Sequence, residues 1–195
     1  MNFNQPYNDP QNYYWFLSGF TKDELDKVYN DVAELPFDPA TIDNGNSQEE
    51  HKQIRSSSIK RIPKNDKWNW LYEKLMAQAT EANNALWNFD LISAPELIQY
   101  TEYYATEGGH YDWHQDIGAG RSSHRKVSIT VQLSGPDEYE GGDLELWQGA
   151  SSIQNAHRGA GVVFVFPSYM MHRVTKVTRG VRRSFVLWVG GCTYK

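Results

Sequence analysis

Three residues in the second half of the chain have metal-binding side chains. His114 and Asp116 stand two positions apart in the segment Trp113-His114-Gln115-Asp116. In an extended strand the side chains of residues i and i+2 point to the same face, so this imidazole and this carboxylate would lie about 7 Å or less apart. A further histidine, His172, begins a later predicted strand, Met171-His172-Arg173-Val174. Two histidines and one carboxylate make the ligand set of a non-haem Fe(II) site, which leaves three positions on the ion open.

A His-x-Asp pair on its own is a weak signal, and the remaining histidines do not strengthen it. His110 lies four residues before His114, but a pair at that spacing needs a helix, and Gly108-Gly109 argues against one. We expect the other histidines to be solvated, because they lie in polar or glycine-flanked stretches: His51, His110, His124 and His157.

An arginine pair follows His172 by ten residues. Arg182 and Arg183 open an otherwise apolar run that ends near Trp188. Alternation along a strand sends one guanidinium to the inside and the other to the outside, and the pattern alone does not decide which. An arginine that faces inward is costly unless a carboxylate pairs with it, and a bidentate carboxylate suits it best. The pair therefore indicates either an anion anchor or a structural salt bridge.

Two helices are predicted in the first half of the chain. The segment Thr21-Lys22-Asp23-Glu24 is a capping box that opens a helix, and a second helix begins near Asn65-Asp66 and ends at about Ala85. Between them lies a polar stretch without large apolar residues, and we interpret residues 43–57 as a loop that forms a lid.

From about residue 95 the chain changes to short β runs separated by turn signals. Such a succession without intervening helices indicates a sandwich or barrel. The predicted runs are Leu97 to Thr106, Lys126 to Ser134, Asp143 to Trp147, Val162 to Phe166, Arg173 to Val177 and Arg182 to Gly190.

Composition limits the classes of function. The net charge of −5 gives no electrostatic basis for wrapping nucleic acid, so we expect no nucleic-acid partner. A single cysteine, Cys192, excludes an intrachain disulfide. The first residues contain no secretion signal and no apolar run could span a bilayer, so we expect a cytoplasmic protein without a membrane partner.

Taken together, these motifs resemble the prolyl 4-hydroxylase type of 2-oxoglutarate/Fe(II) oxygenases. The shared pattern is His-x-Asp, a distant His and a basic residue ten positions later. It extends to segments 127–134, 139–144, 166–168 and 179–188 and covers about residues 97–190, with a looser likeness over 14–94. The resemblance implies an α+β protein with a double-stranded β-helix (jelly-roll, cupin-like) and N-terminal helices packed on the major sheet. It implies one domain, 1–195, in which 1–94 form the helical support and lid and 95–191 the core.

The resemblance also implies a chemistry and a set of site residues. The metal ligands would be His114, Asp116 and His172, and Arg182 would anchor the C5 carboxylate of 2-oxoglutarate. Fe(II), 2-oxoglutarate and dioxygen would be required, with ascorbate as reductant, and an unactivated C–H bond would be oxidised as 2-oxoglutarate becomes succinate and carbon dioxide. Further hydrogen bonds to 2-oxoglutarate are expected from Tyr104 and from Gln132 or Thr130, and substrate contacts from Tyr111, Arg125 and Trp188.

The substrate remains open at this point. A peptide or protein that contains proline is the first choice, and a free amino acid or other small molecule on the same scaffold is the alternative. Nucleic-acid dealkylases usually have a second arginine further along the same strand, and none follows Arg183 here. A metal-binding β-barrel without turnover would have no reason to keep Arg182.

Overall fold

The computed structural model describes residues 11–39, 42–43, 48–49, 53–149 and 153–192. Helix α1 spans Lys22–Ala33 and α2 spans Asn69–Leu86. The predicted capping box is confirmed, because the Thr21 hydroxyl accepts from the Glu24 amide and the Glu24 carboxylate accepts from the Thr21 amide. Helix α2 begins later than predicted, since the amides of Trp68 and Asn69 both bond to the Asn65 carbonyl in a preceding turn.

Sixteen strands are present in the described residues. In chain order they are β1 Tyr14–Phe16, β2 Asp38–Pro39, β3 Ile42–Asp43, β4 Gln48–Glu49, β5 Arg55–Ser56, β6 Ser58–Ile62, β7 Leu91–Ser93, β8 Ile98–Tyr104, β9 His110–His114, β10 Arg125–Gln132, β11 Tyr139–Gly141, β12 Leu144–Trp147, β13 Ile153–Asn155, β14 Val163–Pro167, β15 His172–Val174 and β16 Val177–Gly191. Short 3-10 turns at Ala105–Glu107 and Gly120–Ser122 complete the list.

Two antiparallel sheets carry the fold. The major sheet has the order β1-β14-β10-β16-β8-β6-β2, with β7 and β11 also paired to β16. The minor sheet has the order β13-β12-β15-β9-β5, and β3 pairs with β4 apart from both. These two sheets form the double-stranded β-helix that the family resemblance implies, with the two helices outside the major sheet.

Strict alternation along the central strands separates the two faces of the major sheet. Val127, Ile129 and Val131 of β10 pack with the helices in one apolar cluster, as do Phe185 and Leu187 of β16. Residues of opposite parity on the same strands face the minor sheet, and several of them are polar: Ser128, Thr130, Gln132, Arg182 and Ser184. The interior between the sheets is therefore the polar one, and it is where a ligand can bind.

Several strand limits differ from the predicted ones. The run predicted to reach Thr106 ends at Tyr104, because a 3-10 turn follows. The run predicted as Arg173 to Val177 stops at Val174, and Val177 already belongs to β16. The predicted lid at 43–57 falls partly outside the described residues, but its end is not a loop, since β5 pairs with β9 in the minor sheet.

Of the histidines outside the predicted metal site, His157 is exposed, in agreement with the prediction, whereas His110 and His124 are half-buried. The ring nitrogens of His110 lie 2.9 Å from the Gly108 carbonyl oxygen and 3.0 Å from that of Gln53. The ring of His157 contacts that of Trp15 in a tilted arrangement, with the ring centroids 4.6 Å apart. The half-buried His124 packs on Gly190, and His51 lies outside the described residues. In the described part of the chain, neither helix combines the length and apolar character needed to cross a membrane.

Candidate active site

His114, Asp116 and His172 meet at one point. One ligand atom from each lies within 4.8 Å of the others. The two histidines are cross-strand partners on β9 and β15, and their ring centroids are 4.1 Å apart. Asp116 faces both, with its Oδ1 at 3.9 Å from Nε2 of His114 and its Oδ2 at 3.5 Å from Nε2 of His172. No other group of three or more such ligands occurs among the described residues.

The backbone conformation that places Asp116 in the cluster differs from the strand that the sequence predicts. Strand β9 ends at His114, and Asp116 lies in the bend that follows. Its amide donates to the Ser168 carbonyl at 3.0 Å, and its carboxylate accepts from the Ser128 hydroxyl at 2.6 Å. The carboxylate is therefore positioned by groups from β10 and from the turn after β14, not by simple strand alternation.

Hydrogen bonds orient both imidazoles. Nδ1 of His114 lies 2.7 Å from the Asp112 carbonyl oxygen, and Nδ1 of His172 lies 2.9 Å from that of Met170. A carbonyl oxygen only accepts, so each Nδ1 carries the proton and each Nε2 presents a lone pair to the site. This second contact is how metal-binding histidines are usually held.

The ionisation states also suit a metal. Burial, together with the neighbouring His172, lowers the pKa of His114 to about 3, so His114 is neutral at physiological pH. Burial by itself would raise the pKa of Asp116, but His172, His114 and Arg125 together with the Ser128 hydroxyl hold it below its ordinary value. Neutral imidazole and ionised carboxylate are the forms that bind a divalent cation, so these residues fit Fe(II).

The triad opens into a cavity of about 870 Å³ that also contains Arg182. Only 3% of Arg182 is exposed, and its one hydrogen bond among the described residues runs from Nη1 to the Ser184 hydroxyl at 3.3 Å. Its Nε is buried without a partner there, and no described acid lies within salt-bridge distance. A buried guanidinium without an anion is costly, so the cavity is built for one.

Arg183, in contrast, points to the other face of the sheet. Its Nε donates to the Glu102 carboxylate at 2.9 Å, and this pair raises the pKa of Arg183 although burial opposes the rise. Of the two arginines left open by the pattern, Arg182 is thus the one that faces the cavity.

Of the three residues predicted to assist at 2-oxoglutarate, Thr130 lines this cavity, but Tyr104 and Gln132 do not. Tyr104 shares the outward face of β8 with Glu102 and donates to its carboxylate, whereas Tyr103, one position earlier, lines the cavity. Gln132 lies in a small adjacent space and donates to the Ser134 carbonyl and the Tyr139 hydroxyl. Strand alternation sends Tyr104 to the outer face of β8, whereas Gln132 faces the interior but lies further along β10, in the adjacent space.

The three residues predicted to contact substrate all line the cavity. Tyr111 stacks on His114 with ring centroids 3.5 Å apart, and burial raises its pKa to about 12. Arg125 donates to both carboxylate oxygens of Glu96, at 2.6 and 2.5 Å, and lies 3.8 Å from the ring centre of Trp188. The indole N–H of Trp188 is buried without a hydrogen-bond acceptor in the described residues.

Arg55 is one of several cavity residues that were not identified from the sequence as part of the site. Arg55 fell within the stretch interpreted as a lid, yet it is buried in β5 with its guanidinium 4.8 Å from the ring centre of Tyr111. The only available signal was its place in Ile54-Arg55-Ser56, which carried the loose N-terminal likeness.

Comparison with curated proteins gives a partial match to one class of enzyme. A PKHD-type hydroxylase from Burkholderia ambifaria is 38% identical over 96 residues, which make up 49% of this chain and 42% of that protein. The chain therefore spans less than half of the length of this relative.

Solved structures match over nearly the whole chain. A Pseudomonas putida prolyl-4-hydroxylase has a TM-score of 0.69 at 21% identity, covering 93% of each chain. A Trichoplax adhaerens prolyl hydroxylase, solved in complex with a hypoxia inducible factor oxygen degradation domain peptide fragment, has a TM-score of 0.76 at 15% identity, covering 92% of this chain and 84% of the other. At such identities these likenesses concern the fold.

The family model described as the 2OG-Fe(II) oxygenase superfamily matches residues 98–190, the segment that contains both histidines, the aspartate and Arg182. The curated relatives and the shared fold agree with that match. Residues 98–190 therefore match the 2OG-Fe(II) oxygenase superfamily, and the chain has a fold like that of prolyl 4-hydroxylases.

Proposed function

We propose that the chain is a dioxygenase that hydroxylates a C–H bond of a peptidyl proline with Fe(II), 2-oxoglutarate and dioxygen. The observation that carries the proposal is the buried Arg182 guanidinium, which shares a cavity with the His–Asp–His cluster and has no acid partner among the described residues. A pure metal-binding protein needs the cluster but not the guanidinium.

In this proposal the protein holds and orients the reactants. Nε2 of His114, Nε2 of His172 and a carboxylate oxygen of Asp116 bind Fe(II). The bound metal, with 2-oxoglutarate and dioxygen, supplies the oxidising power, and succinate and carbon dioxide are released. Arg182 binds the C5 carboxylate through charge-assisted hydrogen bonds, which are the strong ones.

A second partner for that carboxylate comes from the residues around Arg182. The Thr130 hydroxyl donates to the Phe185 carbonyl at 2.9 Å, so its proton is already used. The Ser184 hydroxyl accepts from Arg182 and keeps its own proton free to donate. We therefore assign this role to Ser184, with Tyr103 replacing Tyr104 as the tyrosine beside 2-oxoglutarate.

The substrate would enter over Tyr111, Arg125 and Trp188. The flat ring of Trp188 lies under Arg125, and its unpartnered N–H offers a hydrogen bond to a carbonyl of a bound peptide. The names and fold of the prolyl hydroxylases that resemble this chain support a proline-containing peptide, and one of them was solved with a peptide. The whole of 1–195 would act as one catalytic domain.

Succinate release tests the proposal. Purified protein with Fe(II), 2-oxoglutarate and ascorbate, the last as the proposed reductant, should form succinate, and a panel of proline peptides should increase the rate. The hydroxylated peptide should gain the mass of one oxygen atom. An Asp116→Asn variant should form no succinate above background. If wild-type protein forms none with or without peptides, the enzyme proposal is wrong and a non-catalytic metal-binding barrel is favoured.

A second candidate is hydroxylation of a free amino acid or another small carboxylate on the same scaffold. It is favoured by a second buried arginine in the cavity, Arg55, which has no acid partner among the described residues. In this case the peptide panel would remain unmodified while free amino acids increase succinate formation.

A further inference from the structure

Arg55 is buried, and none of its contacts with the described residues neutralises its positive charge. It is 6% exposed, its Nε donates to the Ser57 hydroxyl at 2.9 Å, and its guanidinium lies over the face of Tyr111. A neutral hydroxyl and an aromatic ring stabilise a guanidinium, but neither supplies the negative charge that a buried ion needs.

The carboxylates that line the cavity are already engaged. Glu96 accepts two hydrogen bonds from Arg125, and Asp116 faces the two histidines and accepts from Ser128. In the parts of the chain that the structure describes, no acid lies within salt-bridge distance of Arg55. The terminal nitrogens of Arg55 are thus left for an anion that enters the cavity.

Arg55 and Arg182 lie on different sheets. Arg182 belongs to β16 of the major sheet, and Arg55 belongs to β5 at the edge of the minor sheet, where it pairs with Tyr111 of β9. The Arg55 guanidinium is 4.8 Å from the Tyr111 ring centre, which is 3.5 Å from that of His114, so it lies within roughly 8 Å of a metal ligand. A small group bound to Arg55 would therefore lie beside the place of oxidation.

Two anion anchors call for two anionic ligands. If 2-oxoglutarate binds as proposed, its C5 carboxylate would pair with Arg182 and its other end would lie at the metal ligands, so neither carboxylate would remain for Arg55. We propose that Arg55 binds a carboxylate of the second substrate and thereby selects substrates that carry a carboxylate close to the oxidised carbon. This inference rests on the proposed function. The carboxylate comes either from the α-carboxyl group of an amino acid or from an acidic side chain next to the target residue in a peptide.

Matched ligands with and without the carboxylate test this assignment. One pair is L-proline and L-prolinamide, and the other is the end-blocked peptide Ala-Ala-Pro-Asp-Ala and its Asn counterpart. Each is titrated by calorimetry into protein loaded with Fe(II) and 2-oxoglutarate under argon. For wild-type protein we expect the acid of one pair to bind about tenfold or more tightly than its neutral counterpart, as for a charge-assisted hydrogen bond that is partly buried. The pair that shows the difference identifies the source of the carboxylate.

Variants then assign the preference to a residue. Arg55→Met should bring the acid-to-neutral affinity ratio close to one, and Arg55→Gln provides the same test if the Met variant does not fold. The matched control is Arg121→Met, which removes an exposed arginine from the rim of the same cavity and should keep the ratio. Because the readout is a ratio, a general loss of affinity does not imitate the expected result.

Three results would overturn the assignment: equal binding of acid and neutral ligand in both wild-type pairs, no binding by any of the four ligands, or a preference that survives in a neutral Arg55 variant. Failure of the proposed function has a different signature, because the wild-type protein would then not bind 2-oxoglutarate in the same calorimeter.

Discussion

Replacing Arg182 with methionine should have opposite effects on the free protein and on its 2-oxoglutarate complex. In the complex, the substitution leaves the C5 carboxylate of 2-oxoglutarate buried without a cation, and breaking a buried charge pair in this way costs about 3–5 kcal/mol. That cost corresponds to a loss of affinity of roughly 150- to 5000-fold. In the free protein, the same change removes a buried charge that has no acid partner among the described residues, so the melting temperature should not fall and we expect it to rise.

Thermal unfolding with and without 2-oxoglutarate measures both effects in the Fe(II)-loaded protein under argon. Wild-type protein should gain about 2.7 kcal/mol of stability when 2-oxoglutarate is present at 100 times its Kd. At the same concentration the Arg182→Met variant should gain almost nothing.

Arg183→Met is the matched control for this experiment, because Arg183 pairs with Glu102 on the opposite face of the sheet. It should lower stability by roughly 1–2 kcal/mol, since it leaves a mostly buried carboxylate with one donor fewer, and it should keep the gain from 2-oxoglutarate. If the Arg183 variant loses that gain and the Arg182 variant keeps it, the assignment of the anchor is wrong.

Three further substitutions give separable results. Gly142→Ala adds a Cβ to a residue with a φ of +62°, and this Cβ would lie 3.0 Å from Cδ of Arg182. The substitution should therefore lower the stability of the protein by roughly 1–3 kcal/mol and weaken 2-oxoglutarate binding. Calorimetry that shows unchanged binding would refute the second effect. Glu102→Gln should destabilise the protein at neutral pH. Burial alone would raise the pKa of Glu102, but its three hydrogen bonds lower the pKa below the value of about 4.5 in the unfolded chain. Glu102 therefore stabilises the folded protein above that pH, and this stabilisation is lost as the pH falls through the lower pKa of the folded state. Urea unfolding should therefore show a wild-type advantage that narrows below that pH, and a constant difference would contradict this. Glu96→Gln weakens the bidentate contact that holds Arg125. The KM for a peptide should therefore rise, while the Kd for 2-oxoglutarate should stay unchanged. A rise in both constants would indicate a general disturbance of the cavity.

The metal ligands could be predicted from the sequence because residue type and order were sufficient. A His-x-Asp segment and a histidine ten residues before an arginine identified all three members of the cluster now found within 4.8 Å. Strand alternation, however, does not explain the position of Asp116. The predicted strand stops at His114, and contacts with Ser128 and Ser168 place the carboxylate. Such contacts are distant in sequence and leave no local pattern.

The face of each strand was harder to predict than its existence. Alternation showed that Arg182 and Arg183 point in opposite directions, but both faces of that strand contain apolar residues, so the buried side of the sheet had to be known first. The same ambiguity placed Tyr104 instead of Tyr103 in the cavity. A shift of one residue moves a side chain to the other face of the sheet. Strand β8 has tyrosines at positions of both parities, so their positions do not show which of them faces the cavity.

Arg55 was missed for a different physical reason. Its strand is two residues long and exists through pairing with β9. Polar surroundings in the sequence indicated a solvated segment, whereas the partner strand lies more than fifty residues away in the chain.

The cluster contacts both layers of the barrel. His114 and His172 belong to the minor sheet, while Asp116 is held by Ser128 of the major sheet. An ion bound by all three would therefore link the two histidines of the minor sheet to a carboxylate that the major sheet holds. Its binding free energy would add directly to the cohesion of the barrel at its open end. Iron would then be a structural component of the site as well as a reagent, and the folded protein would be more stable with the metal than without it.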